Sequence, residues 1–209
     1  MTHDCRIKAV IFDLGRVLVD FDHTIAARRM AAYTAKDPGE IFAMFFDSEL
    51  TGSFEEGKIA PREFFERVME LLRCNLTYEQ FLPIWNEIFF LTDTNRAVYA
   101  LASGLKQRFK VALVSNINRL HFEYLKDHFP IFDCFHCIVA SYEVGVRKPD
   151  PKIYEQALKS LGVLPQETFY TDDRQELIAG ASRLGIRSFV FRDIARLKKD
   201  MRANGIALP

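Results

Sequence analysis

The sequence has no surplus of either charge: Lys and Arg total 28, Asp and Glu total 28, and the formal net charge is zero. A protein built to attract nucleic acid or an anionic membrane through its overall field is thereby excluded. An anionic small substrate would need a local positive site instead. Long apolar runs are also missing, and none approaches the roughly 20 residues of a membrane span. The opening MTHDCRIKAVIF lacks the pattern of a signal peptide. Cysteine is scarce, with four residues and none of the dense spacing of a secreted scaffold, which points to a reducing, cytoplasmic setting. There is no internal repeat, low-complexity segment or charge block. What is left, over 209 residues, is the ordinary mix of a globular protein. Its length fits one large domain, or one domain carrying a smaller insertion.

Five short apolar runs predict strands: residues 8–13 (KAVIFD), 110–116 (KVALVSN), 137–141 (CIVAS), 168–173 (TFYTDD) and 187–191 (RSFVF). Their continuous hydrophobicity suits a parallel sheet covered on both faces. Helical periodicity separates the later runs. Ala97, Leu101, Leu105 and Phe109 recur every four residues. Asp150-Pro151 reads as an N-cap with proline at the first helical position, and Gly162 fits the end of that helix. The alternation predicts an α/β fold, a Rossmann-like three-layer parallel sheet core with right-handed crossovers.

Residues 17–90 read differently. Helices are expected over 23–33 and 40–49, and Phe64, Phe65, Val68, Met69 and Leu72 mark one face of another. Thr77 to Gln80 reads as a capping box ahead of Phe81, Trp85 and Ile88, with Pro83 awkward inside it. Residues 52–61 (GSFEEGKIAP) read as a loop. The expected division is a catalytic core of residues 1–16 and 91–209, with residues 17–90 inserted as a helical domain.

The stretch VIFDLGRVLVD, residues 10–20, ends an apolar strand on Asp13 and places Gly15 two residues later. Ligands of open α/β sheets bind at the carboxyl ends of the strands. Polar residues collect at those ends: Asp13, then Ser115 and Asn116, then Asp172 and Asp173, with Lys148 after the third run. Converging carboxylates repel unless a cation lies between them. Oxygen donors without clustered His or Cys favour Mg²⁺ over zinc. A lysine, a serine hydroxyl and backbone N–H groups would then receive phosphate oxygens. Such a set suits phosphoryl transfer, with one carboxylate as nucleophile.

In order and spacing, "IFDLGRVLVD … LVSN … VGVRKPDPKIY … FYTDDRQELIAGA" resembles the four motifs of the haloacid dehalogenase (HAD) superfamily. The insertion, with its FEEGKIAPREFF, is similar to the helical type-one cap of that superfamily. The DLG form of the first motif most resembles the subgroup of bacterial sugar-phosphate phosphatases such as alpha-D-glucose-1-phosphate phosphatase. The resemblance implies a Mg²⁺-dependent phosphatase of small phosphorylated metabolites, sugar phosphates among them. Asp13 would be the nucleophile and a metal ligand, and position 15 would offer its backbone carbonyl to the metal. Ser115 and Asn116 would hold the transferring phosphoryl group. Lys148 would neutralise nucleophile and phosphate, and Asp172 would bind Mg²⁺ with Asp173 close by. No nucleic-acid or membrane partner is implied.

Two positions depart from the pattern. Most phosphatases of the superfamily carry a second Asp where this chain has Gly15, as general acid and base, and Leu177 stands where Asn is frequent. The first departure matters least for a leaving group that is already good, as in an anomeric sugar phosphate or an acyl phosphate. It also motivates two other readings: a dehalogenase proper, which needs no metal, and a weakly active protein that binds a phosphorylated ligand. Arg16, beside the gap, would be an anion contact at best, since arginine does not donate protons near neutral pH. Cys134 and Cys137 have CxxC spacing without a second ligand pair and are expected as core thiols. His121 is expected at the surface, and Phe45, Phe46, Phe54 and Trp85 are expected in a core more than in a pocket. Arg196 to Lys199 reads as the polar face of a last helix.

Overall fold

β1 (Ala9–Phe12) is buried along its whole length, which requires cover on both faces of the sheet it centres. In the computed structural model, which describes residues 6–46 and 48–209, this cover is supplied by helices in three layers. In chain order the elements that follow are β2 (Asp20–Phe21), α1 (His23–Ala31), α2 (Pro38–Phe45), α3 (Glu49–Glu55), α4 (Pro61–Leu72), α5 (Tyr78–Asn86) and β3 (Phe89–Phe90). Next come α6 (Asp93–Leu105), β4 (Lys110–Ser115), α7 (Arg119–His128), β5 (Cys137–Ala140), α8 (Ser141–Val144) and α9 (Pro151–Leu161). The chain ends with β6 (Thr168–Asp172), α10 (Gln175–Arg183), β7 (Arg187–Val190) and α11 (Ile194–Ala203).

The main sheet is parallel, in the order β5-β4-β1-β6-β7. Its strands match the five predicted runs. Phe12 is level with Leu113 of β4 on one side and Thr171 of β6 on the other, so the chain leaves all three strands at one edge. Side chains alternate across the sheet as the two-residue period demands. Val10, Phe12, Val111, Leu113 and Phe169 join one core, and Ala9, Ile11, Ala112, Val114 and Tyr170 join the other. Asp150 caps α9, with Pro151 in its first turn and Gly162 at its left-handed end.

A third core lies among α1 to α5, where Phe45, Phe54, Phe64, Phe81 and Trp85 are all buried. Phe54 and Phe64 stack at 4.2 Å between centroids. Thr77 and Gln80 form the capping box of α5. Pro83 sits inside that helix, which loses one backbone hydrogen bond and keeps its fold by burying Phe81, Ile84 and Trp85. Val17, Leu18 and Val19 pack with the sheet and not with these helices.

Two expectations are corrected here. Residues 40–49 are not one helix: α2 begins earlier, at a capping box of Asp37 and Glu40, and α3 starts afresh with Ser48 accepting from the Thr51 N–H. Residues 52–55 are therefore the end of α3 and not part of a loop. The periodicity also gave no sign of β2 and β3, which pair antiparallel as Asp20 with Phe90 and Phe21 with Phe89.

Candidate active site

β1, β4 and β6 end side by side, so their last polar residues meet. Asp13 follows β1 and donates its backbone N–H to Thr171 O (3.0 Å). Lys148 reaches in from the segment between α8 and α9. Its Nζ donates to Asp13 Oδ1 (2.6 Å), Asp172 Oδ2 (2.7 Å) and Val114 O (3.0 Å). The Lys148 side chain is 1% exposed. The Tyr170 hydroxyl also donates to Asp172 Oδ2, and the Arg174 N–H to Asp172 Oδ1 (3.0 Å).

Electrostatics follow from that crowding. Burial and then Asp172 push the Asp13 carboxyl above its ordinary range, against the pull of Lys148. Burial also disfavours the charge on Asp172, yet Lys148 and the Tyr170 hydroxyl outweigh it and hold that carboxyl low. Lys148 suffers the same penalty, and its two carboxylate partners overcome it and raise its affinity for the proton. Burial and Asp172 push Asp173 up. Asp13, Asp172 and Asp173 each offer a carboxylate oxygen, all within 4.8 Å of one another. Three buried or half-buried acids facing one ammonium leave excess negative charge, and hard oxygen donors of this kind suit Mg²⁺.

A cavity of about 280 Å³ opens onto this edge. Asp13, Gly15, Ser115, Asn116, Lys148 and Asp173 line it. Asp172 lies beneath, bonded to Lys148. Every site residue expected from the sequence thus gathers at one place. Asn116 differs in detail: its side-chain amide brackets Lys148, accepting from the Lys148 N–H (2.7 Å) and donating to its carbonyl (3.0 Å). That amide positions the lysine. Leu177 is buried and lines the cavity, so an apolar wall stands where an amide is frequent.

The opposite wall comes from α1 to α5 and their loops. Phe46 lines the cavity, Trp85 lines it while belonging to the third core, and Phe45 and Phe54 are core residues alone. His121 is not at the surface. It is 6% exposed, its Nε2 bonds to Trp85 O (3.1 Å) and its Nδ1 to Asn118 Nδ2 (3.0 Å). Burial, and then the nearby His23, lower it to about 3, so the ring is neutral. Arg147 lines the cavity and pairs with Glu55 (3.2 Å). Arg16 has a left-handed backbone, with φ of 60°, and pairs with Asp20 (3.1 Å). Phe21, His23 and Arg147 were not foreseen as site residues, because nothing in their spacing marks them.

Cys134 belongs to one core and Cys137 packs against the other. Burial pushes both thiols up, Cys134 to about 11, so neither is poised for redox or metal chemistry. Among the described residues, no helix is long and apolar enough to cross a membrane.

Comparison with known proteins points to one family. The family profile described as haloacid dehalogenase-like hydrolase matches residues 7–185. The D-ribitol-5-phosphate phosphatase of Bacteroides thetaiotaomicron is 29% identical over 189 residues, spanning 88% of this chain and 91% of its own length. A solved HAD family enzyme from the same organism superposes with a TM-score of 0.82 at 27% identity, covering 92% of this chain and 98% of that one. A HAD family enzyme solved from that organism in complex with magnesium and inorganic phosphate gives 0.78 at 28% identity, covering 91% and 98%.

Proposed function

The chain belongs to the haloacid dehalogenase-like hydrolases, and on that premise we propose that it is a Mg²⁺-dependent phosphatase of small phosphorylated metabolites that works through an aspartyl-phosphate on Asp13. The observation that carries this reading is the buried Lys148 ammonium shared between Asp13 and Asp172 in the wall of the cavity. A lysine so placed opposes the burial that favours a neutral Asp13, aligns that carboxyl for attack, and offers positive charge to an arriving phosphate. The Ser115 hydroxyl and backbone N–H groups at the end of β4 would bind the phosphoryl oxygens, with Asn116 holding Lys148 in register. Asp13, Asp172 and the Gly15 carbonyl would hold the metal, with Asp173 close by. When bound, Mg²⁺ would supply charge neutralisation for the transferring group.

Sugar and polyol phosphates are the first substrate class to test. The 280 Å³ cavity suits a small metabolite, and the similar protein from Bacteroides thetaiotaomicron is named for a pentitol phosphate. We further propose that residues 17–90 act as a cap on a core of residues 1–16 and 91–209. Phe42, Phe46, Thr51, Glu55 and Trp85 supply its face of the cavity, and closure would exclude water during the first transfer.

The test is p-nitrophenyl phosphate hydrolysis with Mg²⁺ and with EDTA, beside Asp13→Asn. Turnover is expected with the metal, and EDTA or the substitution should each lower it by about 10³ or more. Chloride release from a 2-haloacid without metal would mark a dehalogenase instead.

A further inference from the structure

Gly15 removes the carboxylate that most phosphatases of the family use as a general acid, and its place is filled. A Cβ at position 15 would lie 2.9 Å from Cε1 of Phe21. The Phe21 ring is itself held, by the Arg16 guanidinium 4.5 Å from its centroid and by Phe89 edge-on at 6.1 Å. No acidic side chain enters from position 15 unless Phe21 moves. An alkoxide leaving group nevertheless needs a proton.

That proton must come from another wall of the cavity. His121 is neutral, with both ring nitrogens engaged. Glu55 is paired with Arg147. Asp173 lies with the two carboxylates on Lys148. Arg16, Arg147 and Arg174 do not release protons near neutrality. His23 also lines the cavity, and an imidazole is the side chain that ordinarily exchanges protons at physiological pH.

Its placement fits the task. His23 begins α1, two residues after Phe21, and the two rings lie 4.7 Å apart. Phe46 stacks on it at 4.1 Å and 18°, so the imidazole is packed against two aromatic rings. It lines the main cavity with Asp13 and Lys148, and an adjoining cavity of about 80 Å³ with Gly15, Ser115 and Asn116.

We propose that His23 is the acid and base of this enzyme, replacing from the first turn of α1 the side chain that position 15 lacks; this rests on the phosphatase reading above. In the first step an Asp13 carboxylate oxygen bonds to phosphorus and the bond from phosphorus to the leaving oxygen breaks. That oxygen takes the proton of the His23 imidazolium, giving the free alcohol, the aspartyl-phosphate and a neutral imidazole. In the second step the imidazole takes a proton from water as the water oxygen bonds to phosphorus. The bond from phosphorus to Asp13 breaks, releasing inorganic phosphate and restoring carboxylate and imidazolium.

The experiment compares p-nitrophenyl phosphate, whose phenolate leaves unprotonated, with benzyl phosphate, whose alkoxide does not. The quantity read is kcat/KM, which reports the first transfer and is insensitive to later hydrolysis. His23→Phe keeps the ring stacking, and His23→Gln keeps polarity without proton transfer at this pH. For both variants kcat/KM should stay within about threefold for p-nitrophenyl phosphate and fall about 10²-fold for benzyl phosphate. A burst of p-nitrophenolate ahead of a slowed steady state would report loss of the base in the second step. Equal losses on both substrates, or no loss on either, would overturn the proposal. Absence of any metal-dependent turnover in the wild type would instead overturn the phosphatase reading itself.

Discussion

Two buried residues show how this site handles charge. Lys148 keeps its proton because two carboxylates and a carbonyl surround it, although its burial alone would favour the neutral amine. His121 has a carbonyl, Trp85 O, but among the described residues no carboxylate bonded to it, and it stays neutral, lowered to about 3 from an ordinary 6.5. The linkage is direct. Below about pH 6.5 the unfolded chain takes up a proton on this imidazole while the folded chain does not, so the contribution of His121 is full above that pH and shrinks as the pH falls toward 3. The loss runs at about 1.4 kcal/mol per pH unit. Denaturant unfolding of the wild type and His121→Asn at a series of pH values should show the gap between them narrowing at that slope as the pH drops from about 6 to about 4.5. A gap that stays constant would mean that the folded protein protonates His121 as readily as the unfolded one.

At the scale of elements, the contact between α3 and α8 sets how the helical segment meets the sheet. Gly57, just after α3, has φ of 67°, and a Cβ there would lie 2.2 Å from the Tyr142 carbonyl oxygen. Beside it the Ser141 hydroxyl donates to Glu55 O (2.6 Å), and Arg147 pairs with Glu55 and Glu56. The ion pairs are partly exposed and contribute little by themselves; the close backbone approach fixes the geometry. Gly57→Ala should therefore cost about 1–3 kcal/mol and lower kcat/KM for any substrate that bridges the cavity. Denaturation and turnover measured on the same preparation check both. The five core strands could be read from sequence because each is a short apolar run, and Asp13, Lys148 and Asp172 because they stand at or after the ends of such runs. The break between α2 and α3 could not, since Ile41, Phe42, Phe45 and Phe46 keep a helical rhythm up to the capping Ser48. Nor could the packing of Phe21 over Gly15 or the bond from His121 to Trp85 O, which join residues that no periodic pattern relates.

For the whole molecule, the division among hydrophobic cores has a mechanical meaning. Two cores clamp the sheet, a third lies within α1 to α5, and the cavity is bounded on one side by residues of that helical segment. Hydrogen exchange should show the amides of α1 to α5 opening together at a lower free energy than those of β1, β4 and β6. A single opening energy for all of them would mean that the segment and the sheet unfold as one unit. The β2–β3 pair adds something of another kind. Asp20 and Phe21 lie against Phe89 and Phe90, so the chain departs and returns at nearly the same point. Everything between is a closed detour, and a detour of another length or shape could be spliced across the same two-residue clasp without rethreading the sheet. Such an exchange would leave Asp13, Lys148 and Asp172 in place, since all three lie outside the detour, while His23, inside it, would be replaced together with the walls around it.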